Sequence, residues 1–214
     1  PELDSINIGG GFPIKHSLGF DYDYQFMINE IVSNIKKTCK AAKVPMPNIY
    51  TEFGSYTVGE SMAHIYSVIA EKTQNDREIW YMIDSSFITT LPDTWGIGER
   101  FLMLPVNKWG NEYQRVVLGG ITCDSHDYYD SEEHINEVFL PKLNGETPKE
   151  PLYVGFFHTG AYQDQISGYG GIKHCMIPSP KHVIIERDKN GKLIDWVYAK
   201  EQTAQSMLKI LGYL

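Results

Sequence analysis

Hydrophobic and polar positions change their rhythm near Gly54. Ahead of it, Ser5-Ile-Asn-Ile8 alternates like a short strand and runs into Gly9-Gly10-Gly11-Phe12-Pro13. From Tyr24 to Lys43, Phe26, Ile31, Ile35 and Cys39 recur near helical spacing, which predicts a helix. Lys36, Lys37, Lys40 and Lys43 fall in its later part, where cations suit the negative end of the helix dipole. Pro45 and Pro47 end the helix, and Asn48–Glu52 reads as the next strand. Strand, glycine loop, helix and strand together form a βα unit of a parallel sheet or barrel.

Beyond Gly54 the pattern turns β-rich. Tyr56–Glu71, Glu78–Ile83, Arg100–Leu104, Gln114–Thr122, Pro151–Phe157, Lys181–Arg187 and Lys192–Ala199 read as strands. The last two face each other across Asp188-Lys-Asn-Gly191, where Asn-Gly is a strong hairpin signal. Glu201–Leu211 predicts a closing helix with Ala204, Met207, Leu208 and Leu211 on one face. The expected fold class is α+β: a βα part over residues 1–54, then a mostly antiparallel β domain over 55–214 ending in a helix.

Composition narrows the classes. At 214 residues, 42% hydrophobic and 21% charged, the chain is ordinary for a soluble protein of one or two domains. A net charge of −8 argues against a nucleic-acid partner, which wants a basic face. No apolar run reaches transmembrane length, and no signal-peptide pattern is present. Cys39, Cys123 and Cys175 are odd in number and widely spaced, giving neither a disulfide framework nor a zinc ribbon. A reducing, cytoplasmic setting is expected. The chain opens at Pro1 almost directly on a strand, so it is expected to be a segment of a longer protein.

Four stretches carry candidate chemistry. Successive glycines at 9–11 can present backbone N–H groups to a phosphate, or form a plain flexible turn. Thr51-Glu-Phe-Gly-Ser55 lies at the end of the second parallel strand, where sites form in α/β folds. There Glu52 can pair with a ring nitrogen or a cation, and Gly54 can add an N–H to an anion site; the alternative is a strand-ending turn. Gly119-Gly-Ile-Thr-Cys-Asp-Ser-His-Asp127 delivers a thiol, a carboxylate and a hydroxyl in succession. A thiol beside a carboxylate is poorly placed to become a thiolate. Cys123 therefore reads as a proton donor or as a packed cysteine rather than a protease-type nucleophile. After the strand ending at Phe157, Gly160-Ala-Tyr162 can project a hydroxyl into a cleft, or supply a core tyrosine.

Two further groups have competing readings. Asp84-Ser-Ser-Phe87 and Leu91-Pro-Asp-Thr-Trp-Gly-Ile97 can recognise a basic substrate, although Asp and Ser also cap helices and make turns; for Asp93 the turn reading is favoured. His126, Asp127, Asp130, Glu132, Glu133 and His134 form an acidic cluster without metal-ligand spacing, better read as a solvated loop.

Taken together, Ile8-Gly-Gly-Gly-Phe-Pro13, Thr51-Glu-Phe-Gly-Ser55, Thr122-Cys-Asp-Ser125 and Gly160-Ala-Tyr162 resemble, in order, four elements of the fold type III, alanine racemase-like decarboxylases that use pyridoxal 5'-phosphate (PLP). Within that group, Leu91–Ile97, Thr122–Ser125 and Gly155–Gln163 most resemble the biosynthetic arginine decarboxylases. The resemblance implies the end of a (β/α)8 barrel followed by a β domain of sandwich or Greek-key barrel type. It implies that Gly9, Gly10, Gly11, Gly54 and Tyr162 hold the PLP phosphate and that Glu52 pairs with the pyridine nitrogen. Cys123 would return a proton to the carbon that loses CO₂. Asp124 would hold the substrate's distal cation, with Asp84 a second candidate. It also implies a homodimer in which Cys123 and Asp124 serve the partner's site.

Two departures from that family stand out. Ser55 replaces an arginine that usually pairs with the phosphate, and no lysine here matches the family's Schiff-base lysine. The chain alone is therefore expected to be inactive. Nothing in the sequence indicates Mg²⁺. Other amino acids (ornithine, lysine, diaminopimelate, carboxynorspermidine) remain alternative substrates. A non-catalytic assembly β domain and a metal-dependent hydrolase built on Asp124, His126 and Asp127 are the readings from other classes.

Overall fold

The computed structural model describes residues 3–129, 138–143, 150–167 and 174–214. They fall into two compact units. The first holds residues 1–63, 101–103 and 156–161; the second holds 64–100, 104–155 and 162–214.

The first unit is built on the predicted βα pattern. Strand β1 (Ser5–Asn7) pairs in parallel with β2 (Asn48–Tyr50), Ser5 opposite Asn48 and Asn7 opposite Tyr50. Parallel neighbours need a crossover, and helix α1 (Tyr24–Ala42) supplies it. The carboxylate of Asp23 caps α1 by accepting from Phe26 N–H at 2.8 Å. Lys43 then turns left-handed (φ 57°), and its N–H closes onto the carbonyls of Cys39 and Lys40. The helix thus stops ahead of Pro45 and Pro47, as the sequence predicts.

The stretch after Phe53 departs from expectation. The pattern predicts β-rich segments over Tyr56–Glu71, but helix α2 (Gly54–Val58) and a 3-10 turn (Gly59–Ser61) come first. Strand β3 starts only at Ala63 and runs to Gln74. Local hydrogen bonds explain the difference. Thr57 donates both its N–H and its hydroxyl to the Phe53 carbonyl, Gly59 N–H donates to Ser55, and the Ser61 hydroxyl donates to Val58. Aromatic contacts favour the same turn: Tyr56 lies 4.9 Å from Tyr24 and 5.8 Å from Phe53, and Phe53 lies 5.0 Å from Phe12. A β-type composition is overridden where side chains find partners in a helical turn.

A six-stranded sheet has the order β5-β8-β3-β4-β6-β7. The further strands are β4 (Glu78–Ile83), β5 (Leu102–Pro105), β6 (Tyr113–Gly119), β7 (Val138–Pro141) and β8 (Tyr153–Phe157). β3 and β4 pair antiparallel with a register shift between Val68 and Ala70, and β6 and β7 pair antiparallel. β4 and β6 are parallel, with Trp80 opposite Val117 and Met82 opposite Gly119. A parallel pair needs a long connection, and residues 84–112 provide it. That connection includes helices α3 (Phe87–Thr90) and α4 (Pro92–Gly96), neither of which the hydrophobic pattern predicts.

The core of the second unit sits on β4 and β6. Tyr81, Ile83, Val116, Leu118, Leu140 and Phe87 are all buried. Val116 through Gly120 are buried without alternation, the signature of a strand covered on both faces. Tyr81 is fully enclosed, donates its hydroxyl to the Pro141 carbonyl at 3.0 Å, and accepts from Gln114 at 2.8 Å. Burial, as the largest effect, pushes its phenol above the ordinary tyrosine range, against the Gln114 hydrogen bond that pulls the other way.

The predicted hairpin is present as β9 (His182–Arg187) and β10 (Leu193–Ala199). Asp188 organises its turn, its Oδ1 accepting N–H bonds from Asn190 and Lys192, with Gly191 at φ 80°. Helix α5 (Ala204–Ile210) follows; Thr203 caps it and Met207 is its buried anchor. Among the described residues no helix is long and apolar enough to cross a membrane.

Candidate functional site

Glycine conformation builds the first cluster, which lies in the first unit. Gly9 and Gly11 have φ of 74° and 79°, a region that side chains disfavour. Gly10 presses on the Glu52 carbonyl so closely that an added Cβ would collide with it. Glu52 N–H donates to the Gly9 carbonyl at 2.9 Å, and Gly9 N–H donates to Asn7 Oδ1 at 2.8 Å. The Asn7 amide in turn donates to Glu52 Oε1 at 2.5 Å. One asparagine thus ties the glycine loop to the Glu52 carboxylate. The N–H groups of Gly10 and Gly11 have no hydrogen-bond partner among the described residues. Gly54 opens α2, and a Cβ there would meet nothing within 4 Å. Predicted residues Gly9, Gly10, Gly11 and Glu52 therefore come together.

Gly160 explains itself in the same unit. Its N–H donates to the Gly59 carbonyl at 2.9 Å, and a Cβ would strike the Val58 carbonyl and the Ser61 hydroxyl. Tyr162 belongs to the second unit; it is exposed and left-handed at φ 66°. Its neighbour Gln163 is buried and donates to Asp93 Oδ2 at 2.8 Å, which gives Asp93 a structural partner.

The second cluster is the loop after β6. Gly119 lies against Trp80 and Met82, and a Cβ on Gly120 would overlap the Asp127 carboxylate. Asp127 is buried and accepts from Phe87 N–H (2.8 Å), Thr122 N–H (3.0 Å) and the Thr122 hydroxyl (2.6 Å). Gly120 N–H donates back to the Asp127 carbonyl at 2.7 Å. The loop is thereby pinned to the start of α3, and Cys123 is left exposed at its tip beside half-buried Asp124. Asp124 Oδ1 accepts from His126 N–H at 2.8 Å.

Asp84 points elsewhere: its carboxylate accepts from Ser67 N–H at 3.1 Å and from the Ser67 hydroxyl at 2.5 Å. Asp130, Glu132, Glu133 and His134 of the acidic cluster lie outside the described residues. Among those described, no three His, Cys, Asp or Glu side chains gather to hold a metal.

Two residues of this loop's surroundings escape sequence reasoning. Asp127 reads as one more acidic loop residue, although Asp accepting backbone N–H groups nearby is ordinary turn chemistry that signals its role. Cys175 carries no motif, yet its Sγ lies 3.9 Å from that of Cys123. A backbone hydrogen bond at Cys123 lowers the Cys175 thiol's pKa. Desolvation, the Cys123 thiol and the Asp124 charge outweigh it, so the net direction is upward.

The class this architecture defines emerges from solved structures. Biosynthetic arginine decarboxylase from Campylobacter jejuni superposes with a TM-score of 0.79, covering 99% of this chain and 49% of that one at 20% identity. Diaminopimelate decarboxylase from M. jannaschi gives 0.72, covering 98% and 43% at 20% identity. SrLDC in complex with PLP and cadaverine gives 0.61, covering 81% and 40% at 22% identity. The fold is that of part of these amino-acid decarboxylases, a barrel portion with a β domain.

In sequence the chain is similar to biosynthetic arginine decarboxylases. That of Marinobacter nauticus is 32% identical over 136 residues, which is 62% of this chain. The match takes in 20% of that relative, so the chain spans about a fifth of the length of the curated relatives it matches. No family model matches.

Proposed function

We propose that this chain is the cofactor-loop and β-domain portion of a PLP-dependent amino-acid decarboxylase, and that the whole protein converts L-arginine to agmatine and CO₂ for polyamine synthesis in the cytoplasm. The observation that carries the reading is the Asn7-centred network, which joins to a carboxylate a glycine loop whose Gly10 and Gly11 N–H groups have no partner among the described residues. Those are the two chemistries a phosphorylated pyridine needs. Gly9, Gly10, Gly11 and Gly54 would hold the phosphate through backbone N–H groups. Glu52 would accept a hydrogen bond from the protonated ring nitrogen. PLP, when bound, supplies the electron sink for loss of CO₂.

The chain's other residues handle substrate and proton. Cys123, exposed at the loop tip, would donate the Sγ proton to the carbon that has lost CO₂, so one proton enters as CO₂ leaves. Asp124 would hold the guanidinium by charge-assisted hydrogen bonds. Both Asp84 oxygens are engaged with Ser67. Both loop residues would serve a partner subunit in a homodimer. No lysine of this chain matches the Schiff-base position, so the 214-residue chain alone would not turn over. Likeness to a diaminopimelate decarboxylase structure keeps that substrate as the second reading.

The experiment is steady-state kinetics of the full-length protein with PLP, wild type beside Cys123→Ala and Glu52→Gln. Loss of a positioned proton donor should lower kcat by about 10²-fold or more with a smaller change in KM. Unchanged kcat in both variants would overturn the assigned roles.

A further inference from the structure

We propose that Cys123 and Cys175 form an oxidative modification site that closes as a disulfide when the protein meets a peroxide. Both thiols are exposed on this chain. Their sulfurs are already 3.9 Å apart although the residues are 52 positions apart in sequence. A disulfide needs about 2.0 Å between the sulfurs, so forming one requires a further approach of the two side chains. The two cysteines lie on separate segments. Asp127 fixes the Cys123 loop through Phe87 and Thr122. Cys175 sits in a 3-10 turn (His174–Met176) with a left-handed backbone at φ 47°. Ordinary turn chemistry does not bring two thiols together; two separate loops deliver them to one point.

The chemistry balances with hydrogen peroxide as the named oxidant. One thiolate attacks a peroxide oxygen, the O–O bond breaks, and a sulfenic acid forms with loss of water after proton transfer. The second thiolate attacks that sulfur, the S–S bond forms, the S–O bond breaks and a second water leaves. Two thiols are oxidised and one peroxide is reduced. The pairing rests on geometry alone. Its consequence for turnover rests on the proposed function, since a disulfide would take away the Cys123 S–H.

The test is non-reducing peptide mapping of the full-length protein, first reduced, then freed of reductant, treated on the alkaline side with a few equivalents of hydrogen peroxide, so that the raised Cys175 thiol ionises, and alkylated. The dominant product should be the Cys123 peptide joined to the Cys175 peptide, two hydrogens lighter than the separate thiols and released by dithiothreitol. In Cys175→Ser the cross-link should vanish and Cys123 should proceed to sulfinic acid. Cys123 found as sulfinic acid or joined elsewhere in the wild type, or both thiols still free, would overturn the proposal. If the cross-link forms and the protein turns over undiminished, the disulfide stands and the catalytic role of Cys123 falls.

Discussion

A single carboxylate decides whether the Cys123 loop has a shape. Asp127 is buried and accepts three hydrogen bonds, one of them from the backbone of α3. Asp127→Ala would leave the Phe87 and Thr122 donors without that acceptor. A loss of about 2–4 kcal/mol in urea unfolding is expected. A loss below about 0.5 kcal/mol would show that the loop holds itself. Cys175 offers a second test at this scale, because its thiol is pushed upward on balance. The thiolate is the reactive form, so at neutral pH iodoacetamide should label Cys175 more slowly than a free cysteine and catch up only on the alkaline side. Equal rates at neutral pH would contradict the shift. At this scale the sequence shows residue types but not pairings. Gly120 is legible as a glycine that permits close approach, whereas the Asp127 carboxylate it accommodates is not. The Cys123–Cys175 approach depends on two loops whose positions no local pattern encodes.

Elements formed by short-range rules were the most legible. α1 follows from its spacing and caps, and the β9–β10 turn from Asp188 and Asn-Gly. α2 was misread because Tyr56, Thr57 and Val58 have strand-like side chains, and aromatic partners outside the segment decide the turn. β7 is not legible because four residues of it pair among the described residues, too few for a period to declare itself. The glycine loop between β1 and α1 is the element on which the cofactor reading leans. Gly10→Ala would push a methyl into the Glu52 carbonyl and force the backbone apart. It should cost about 1–3 kcal/mol and weaken PLP binding to the full-length protein. Unaltered PLP affinity in a fluorescence titration would separate this loop from the phosphate.

For the molecule as a whole, stability at alkaline pH reports on the β4–β6 core. The Tyr81 phenol is raised above its unfolded value, so its contribution is complete below about pH 10 and is lost as pH rises through the folded value. The urea midpoint should hold from neutral to about pH 9 and fall above about pH 10, with Tyr81→Phe flattening that fall. A midpoint that falls equally in the variant would assign the alkaline transition to other groups. The α+β class was legible at this scale. The parallel β4–β6 pair was not, because strand neighbours separated by a long crossover leave no periodic trace. The measurement that bears most directly on the central claim is CO₂ release with PLP from the full-length protein and from this 214-residue chain, each offered arginine, ornithine, lysine and diaminopimelate separately. The account predicts agmatine from arginine by the full-length protein and silence from the chain alone. A full-length protein inert to all four amino acids, or turnover by the chain itself, would contradict it.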